Sequence, residues 1–475
     1  MGLASTLILA RLLTPADFGL VAMATIVVGL VDLVLDLGVV NALIQNKTAD
    51  RVDFDTAWTL RICQALLVAA ILAGGAPLAA SYYQDERVVD ILRVLAISVV
   101  ISGFDNIGIA KFQKEMEFGR EMRFFLAKRS IATVVSIVVA VILRSYWALI
   151  IGSLVSRLIG LGLSYWMHPF RPRLSLARVR QIWAFSQWNI VSSVASYAGA
   201  RLDQFIIGRR ADASVLGAYA LGNEIASMPS TELLAPLGRV MLPAFVLARD
   251  DAAELSRIVL LSLAVQALIG VPAGVGLALV ASEAIPVLLG ERWTVAVPFV
   301  QMLGFAGIVS SMMSSSVYLL LALGKMRTLA IFNLVILFVY AFTLVVAWPS
   351  AGADEIVVVR LATSVGALAL MLAISAAVMP DFRLRTVAAH TWRPIAAVIV
   401  MAIAVNAVRD VLDGSAAWIM LLTEVITGVV VYVVALSVLW KSAGSPAGGE
   451  TYIFAKFRLQ RAIEWIRPKP GQSPQ

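Results

Sequence analysis

The sequence predicts an all-α polytopic membrane protein: two pseudo-symmetric six-helix bundles plus two C-terminal helices, about 14 transmembrane helices with the first one truncated. Composition is the first ground for this. Hydrophobic residues make up 60% of the 475, charged residues 14%, and the mean hydropathy is +0.89, whereas a soluble domain is about 45–50% apolar and about a quarter charged. The second is the recurrence of apolar runs of about 20 residues between short polar loops. The third is an internal repeat. Shifting the chain by 198 places lays ILARLLTPADFGLVAMA (Ile8 to Ala24) over IIGRRADASVLGAYALG (Ile206 to Gly222), with Arg11 on Arg209, Gly19 on Gly217 and Ala22 on Ala220. Leu37-Gly38-Val39-Val40 likewise falls on Leu237-Gly238-Arg239-Val240 at an offset of 200. Chance likeness between apolar segments is the alternative reading; the shared helix–loop–helix setting argues against it.

Residues 1–167 form the first six-helix lobe. Met1 to Leu13 are too few to cross a hydrocarbon core at about 1.5 Å per residue, so the first helix is expected to be incomplete. No basic n-region or small-residue cleavage site marks a signal peptide. Spans follow at about 18–44, 56–82, 88–110, 124–143 and 146–167. A basic linker occupies 168–182 and the second six-helix lobe 183–380, with spans at about 183–208, 215–247, 256–289, 295–323, 327–348 and 355–379. Two further helices, about 391–409 and 416–440, lie within 381–440. The tail, 441–475, is basic: Leu459, Ala462, Ile463 and Ile466 share helical spacing, with Lys456, Arg458, Arg461 and Arg467 on the other face. That pattern fits an amphipathic helix on membrane lipids; a disordered basic tail is the plainer alternative.

Loop charge sets the orientation. Lys47, Arg51, Lys111, Lys114, Arg171, Arg173, Arg178, Arg249, Lys325, Arg327, Arg385 and Arg393 fall in one alternate set of loops. The other set holds Arg11, Arg87, Arg144, Arg209, Arg210, Arg292 and Arg409. By the positive-inside rule the linker and both termini are cytoplasmic. The net charge of +8 is spread among short loops, which does not point to nucleic acid.

Several chemistries drop out. No GxxxxGK[ST] loop is present. The single cysteine, Cys63, excludes an internal disulfide or thiolate cluster and reads as a small core residue. His168 and His390 fall in expected cytoplasmic loops, too isolated for a metal site. Asp53-Phe54-Asp55 has the form of a metal–nucleotide acidic pair, but without a nucleotide-binding domain it reads as a solvated loop. Asn46-Lys47-Thr48 is a sequon on the expected cytoplasmic side. No cofactor, metal site or catalytic residue is expected.

Charges inside the spans remain. An ionised side chain at mid-bilayer costs at least about 2.5–3.5 kcal/mol on insertion scales and therefore needs a partner or a wet cavity. Asp32, Asp36, Arg93, Arg201, Asp203, Glu224 and Arg239 are the candidate cavity residues; Arg61, Arg157 and Arg360 read as snorkelling side chains. Static ion pairs between helices are the plain alternative for each. Pro77, Pro229, Pro236, Pro243, Pro272 and Pro298 lie within spans, where each removes a donor and can kink its helix.

ASTLILARLLTPADFGLVAMATIVVGLVDLVLDLGVVNALIQ resembles the opening of bacterial polysaccharide transporters in the multidrug/oligosaccharidyl-lipid/polysaccharide exporter superfamily. LDQFIIGRRADASVLGAYALGNEIASMPSTELLAPLGRVMLPAF resembles the start of their second lobe, through Asp203, Gly208, Gly217, Tyr219, Pro229, Arg239, Pro243 and Phe245. The resemblance implies a non-enzymatic flippase of the bacterial inner membrane. Its substrate would be undecaprenyl-diphosphate-linked oligosaccharide, moved from the cytoplasmic to the periplasmic leaflet for exopolysaccharide, capsule or lipopolysaccharide O-antigen synthesis. Partners of that role include a polysaccharide polymerase and a chain-length regulator. Family members begin some residues earlier, which leaves open whether the native chain starts upstream of Met1. Two rival readings stay open: a cation-coupled multidrug extruder using Asp32 and Asp36, and a membrane-bound polysaccharide polymerase or ligase. The short, charge-poor exported loops weigh against the last.

Overall fold

The computed structural model describes residues 2–35, 43, 50–115, 117–179, 187–379, 382, 384–412, 414–444 and 449. Every regular element among them is helical. The first bundle contains α1 (Gly2–Leu12), α2 (Pro15–Leu35), α3 (Arg51–Tyr83), α4 (Arg87–Gly103), α5 (Phe118–Leu143) and α6 (Trp147–Met167). The second begins with α7 (Gln187–Arg210), α8 (Ala213–Met228) and α9 (Ala235–Ala248). It continues through α10 (Ala252–Leu289), α11 (Val297–Ala322), α12 (Met326–Phe342) and α13 (Ala353–Val378). Two further helices follow, α14 (Leu384–Val411) and α15 (Ala417–Ser442). Among the described residues, ten helical spans are long and apolar enough to cross a membrane. With α1, α4, α7 and the broken α8–α9 segment, the described residues supply the fourteen expected.

Short polar signals start and stop these helices. At the head of α2, Thr14 N–H donates to Asp17 Oδ2 at 2.9 Å and Asp17 N–H donates back to Thr14 Oγ1 at 3.3 Å. This reciprocal capping satisfies donors that a helix start leaves free. Asp50 and Asp53 form the same box at α3, whose far end closes on Gln84 in the left-handed region at φ 58°. The expected 215–247 helix is instead broken by a π-helical turn at Pro229–Leu233. Pro229 has no N–H to give and its ring crowds the preceding turn, so the backbone widens there.

Packing divides the chain into two compact units that interleave along the sequence: 1–223 with 285–299 and 326–360, and 224–284 with 300–325 and 361–475. In the second, Ala267 and Leu268 of α10, Ala397 and Met401 of α14 and Tyr432 of α15 form one core. Small residues let such backbones approach closely, while large apolar side chains face outward where lipid would meet them. That same outward face holds Cys63, which is exposed on α3 beside Leu66 and Leu67 rather than buried. In lipid, apolar neighbours do not signal burial. His390 also departs from expectation: it lies within α14, its Nδ1 2.7 Å from the Thr386 carbonyl.

Asp53-Phe54-Asp55 is not a solvated loop either. Both carboxylates are buried in the first turn of α3, where they dock the linker. Arg173 N–H donates to Asp55 Oδ1 at 2.9 Å, Ser175 N–H to Thr59 Oγ1 at 2.9 Å, and Arg178 pairs with Asp50 at 3.0 Å and Asp53 at 3.5 Å. Asn106 Nδ2 donates to the carbonyls of His168 (3.2 Å) and Phe170 (2.8 Å). The first half of the linker is therefore fastened to the first bundle. Losing a buried hydrogen bond of this kind costs about 1–3 kcal/mol, so Asp55→Ala should raise the rate of trypsin cleavage after Arg173 and Arg178 roughly tenfold in detergent-purified protein. An unchanged rate would mean that these bonds do not hold the linker.

Asp36, the Asn46-Lys47-Thr48 sequon, linker residues 180–182 and the tail from 451 onward lie outside the described residues.

Candidate functional site

The two copies of the sequence repeat meet in space, within the first unit. A Cβ on Gly19 of α2 would stand 1.8 Å from the Ala213 carbonyl oxygen; a Cβ on Gly217 of α8 would stand 1.8 Å from the Pro15 carbonyl oxygen. Ala213 is the repeat equivalent of Pro15, and Gly217 of Gly19. Each repeat thus lays its glycine against the other's first helical turn, as a two-fold axis would require. The obstructing atoms are backbone on both sides, so only a residue without a Cβ fits.

Neighbouring equivalents behave alike. Trp293 Nε1–H donates to the Ala10 carbonyl at 2.7 Å, and a Cβ at Gly208, the equivalent of Ala10, would meet the Tyr83 ring at 2.7 Å. Arg11 donates to the carbonyls of Leu288 (2.8 Å) and Val287, while Arg209, its equivalent, stands 5.8 Å over the Tyr82 ring. Tyr146 N–H adds a bond to Asp17 Oδ1 at 2.9 Å, and Arg210 ties to the carbonyls of Ala351 (3.2 Å) and Leu344 (2.9 Å). These contacts gather the α1–α2, α5–α6, α7–α8 and α12–α13 turns at one end of the unit. That end is closed.

Below it lies a charged site. Asp203 of α7 is fully buried. Its carboxylate accepts from Tyr219 O–H of α8, from Arg360 Nη1 of α13 and, at 2.7 Å, from Gln204 N–H. Arg360 Nη1 also lies 3.3 Å from the Tyr219 hydroxyl oxygen. A buried carboxylate with these donors is compensated in the way that a low-dielectric interior demands. Two residues before Asp203, Arg201 turns outward and is exposed, its Nη1 donating to Gln204 Oε1 at 3.0 Å. On the preceding turn, Tyr197 O–H donates to the Ile26 carbonyl of α2 at 3.5 Å, and Tyr197 lies within electrostatic reach of Asp32. Tyr197 also fills the space that a Cβ at Gly29 of α2 would take. Nine residues separate Arg201 from the end of α7, which puts it roughly 14 Å below the closed end. A guanidinium has five N–H donors, and the bond to Gln204 leaves others for a ligand.

Of the sequence candidates, Asp32, Arg201 and Asp203 come into one neighbourhood. Arg93 stands exposed on α4. Glu224, exposed on α8, and Arg239, on α9, belong to the second unit, and the Arg239 side chain is outside the described part. Arg360 corrects the snorkelling expectation: it is half-buried and paired. Its sequence setting, VVVRLAT, places one charge in an apolar run with no nearby partner; that isolation is the signal for a partner on another helix.

Arg61 of α3, Lys128 of α5 and Arg157 of α6 lie within electrostatic reach of Asp105, just past α4. Arg61 donates to the Ser102 carbonyl at 3.2 Å, and Lys128 lies against Gly160. Three cations within reach of one carboxylate give this part of the first bundle a net positive charge.

A family profile described as "Polysaccharide biosynthesis protein" matches residues 8–298. The chain belongs to this family. It is 25% identical over 361 residues to the lipopolysaccharide biosynthesis protein WzxC of Escherichia coli (strain K12), covering 74% of this chain and 73% of the relative. It is 26% identical over 301 residues to the succinoglycan biosynthesis transport protein ExoT of Rhizobium meliloti (strain 1021), covering 63% of this chain and 61% of that one. Among solved structures, the lipid II flippase MurJ in an inward closed conformation superposes with a TM-score of 0.75 at 10% identity, over 93% of this chain and 96% of that one. An inward-facing MATE multidrug transporter gives 0.61 at 14% identity, over 80% and 95%. These structural likenesses give the fold: a polytopic all-α protein. Both relatives are named for polysaccharide synthesis, and ExoT for transport in it.

Proposed function

We propose that the protein is a flippase that moves undecaprenyl-diphosphate-linked oligosaccharide from the cytoplasmic to the periplasmic leaflet of the bacterial inner membrane, without covalent chemistry. The observation that carries this reading is the pseudo-two-fold glycine contact, because a duplicated lobe whose equivalent turns close one end is what alternating access requires. Loop charge supports placing that end in the periplasm and both termini in the cytoplasm, with lobes of 1–167 and 183–380 moving about the cavity. Arg201 supplies exposed donors at membrane depth, suited to an anionic diphosphate, and Asp32 an acceptor for sugar hydroxyls. Asp203 and Arg360 brace it. A polymerase and a chain-length regulator would take the product onward.

Deleting the gene tests this. Lipid-linked oligosaccharide should accumulate severalfold and stay on the cytoplasmic leaflet, inaccessible to an impermeant lectin, until the gene is restored. Normal surface polysaccharide with no accumulation would refute the proposal. Orientation is tested separately with single cysteines in a Cys63→Ala background. In cells whose outer membrane is permeabilised, an impermeant thiol reagent should label Arg210→Cys and spare Arg178→Cys and Lys325→Cys; the reverse pattern would invert the topology.

A further inference from the structure

The second unit holds a charged group that the flipping account does not use. Near the end of α14, Arg409 Nε donates to Glu424 Oε1 of α15 at 2.9 Å, and Nη2 donates to Glu283 Oε2 of α10 at 3.0 Å. Nη2 also bonds the Leu279 carbonyl at 2.5 Å, and Ser282 Oγ–H donates to Glu283 Oε2 at 2.8 Å. Glu424 is fully buried, and its second oxygen, Oε2, has no hydrogen-bond partner among the described residues. It lines an apolar cavity of about 410 Å³ with Pro272, Gly276, Met401, Gly428 and Tyr432.

The charges here do not balance. Two carboxylates converge on one guanidinium, which leaves a net negative charge at membrane depth: Glu424 lies seven residues into α15, roughly 10 Å from its start. Among the described residues, no other charge is placed to neutralise it. Asp410 follows Arg409 on an exposed face, Asp413 is outside the described residues, and Glu254, Arg257 and Lys441 sit at the opposite ends of α10 and α15. Burying an uncompensated carboxylate in an apolar setting is expensive, and two carboxylates in one site resolve the cost by holding a proton between them.

We propose that Glu283 of α10 and Arg409 and Glu424 of the two C-terminal helices form an exchangeable proton site, which holds one proton for its two carboxylates. On binding, a proton from water forms an O–H bond at Glu424 Oε2, and the group becomes neutral against Arg409. On release the proton returns to water and the net negative charge reappears beside the apolar cavity. The site binds its proton whether or not the protein moves a lipid-linked sugar, so its test does not depend on transport.

Detergent-purified full-length protein is titrated in weakly buffered potassium chloride from just above the ordinary carboxylate range to mildly alkaline. Released protons are counted for wild type, Glu424→Gln, Glu283→Gln and the exposed control Asp250→Asn. Each glutamine variant leaves one carboxylate for Arg409, a balanced pair that needs no proton. Wild type and Asp250→Asn should release one proton per chain more than either glutamine variant. Equal release from all four overturns the assignment. Loss of the extra proton when sodium replaces potassium overturns it too, because a metal cation would then fill the site. Should Glu424→Gln fail to fold, the half-buried Glu283→Gln carries the comparison alone.

Discussion

Gly217→Val should abolish most export while the protein remains inserted at its normal level. The added side chain has no soft neighbour to push aside, since a Cβ there would lie 1.8 Å from the Pro15 carbonyl oxygen and 2.7 Å from the Gly19 nitrogen. Overpacking costs about 1–3 kcal/mol. All of it falls on the state in which the end is closed, so the ratio of closed to open should drop about 5- to 150-fold. Gly19→Val should act alike, as the repeat equivalent. Gly75→Ala is the control, because nothing lies within 4 Å of a Cβ there. Complementation of a null strain, read beside the membrane level of each variant, checks this. Full export by Gly217→Val at matched level would show that the closed end is not part of the cycle.

Asp203→Ala and Arg201→Ala should fail in different ways, although they sit two residues apart. Removing the Asp203 carboxylate strips Arg360 and Tyr219 of their shared acceptor in the interior. Breaking a buried ion pair by deleting one partner costs about 3–5 kcal/mol, enough to cut the amount of folded protein severely. Asp203→Asn keeps an acceptor for Tyr219 and should be milder. Arg201 is exposed and its side-chain bond to Gln204 is a modest one, so Arg201→Ala should hold its membrane level yet lose export about tenfold or more. If Arg201→Ala exports normally, the exposed guanidinium does not touch the substrate. If Asp203→Ala accumulates normally, the Asp203–Arg360–Tyr219 group is not structural.

The fold was legible because hydropathy reports length and composition directly, and the bilayer fixes both. The break at Pro229 was written in the proline, though a π turn and a kink look alike from sequence. Burial was not legible in the same way. Cys63 and Asp55 show why: lipid rewards an apolar outer face, and a carboxylate at a helix start can be buried by a distant backbone N–H. Asp203 and Arg201 stood out as charges in a span, but their opposite orientations depend on helical phase and on Arg360, 157 residues away along the chain. Arg360 looked like a snorkelling side chain since its partner is invisible locally. The glycines of the repeat were seen as identities; that they touch each other follows from pseudo-symmetry, which only coordinates make concrete.

The account turns on the two equivalent turns meeting in one state and parting in another. Cysteines at Ala16 and Ala213, at the heads of α2 and α8, in a Cys63→Ala background address this directly. A disulfide between them should form in the membrane, stop export, and release it again on reduction. Efficient cross-linking with export unchanged would contradict rocking of the lobes at this end.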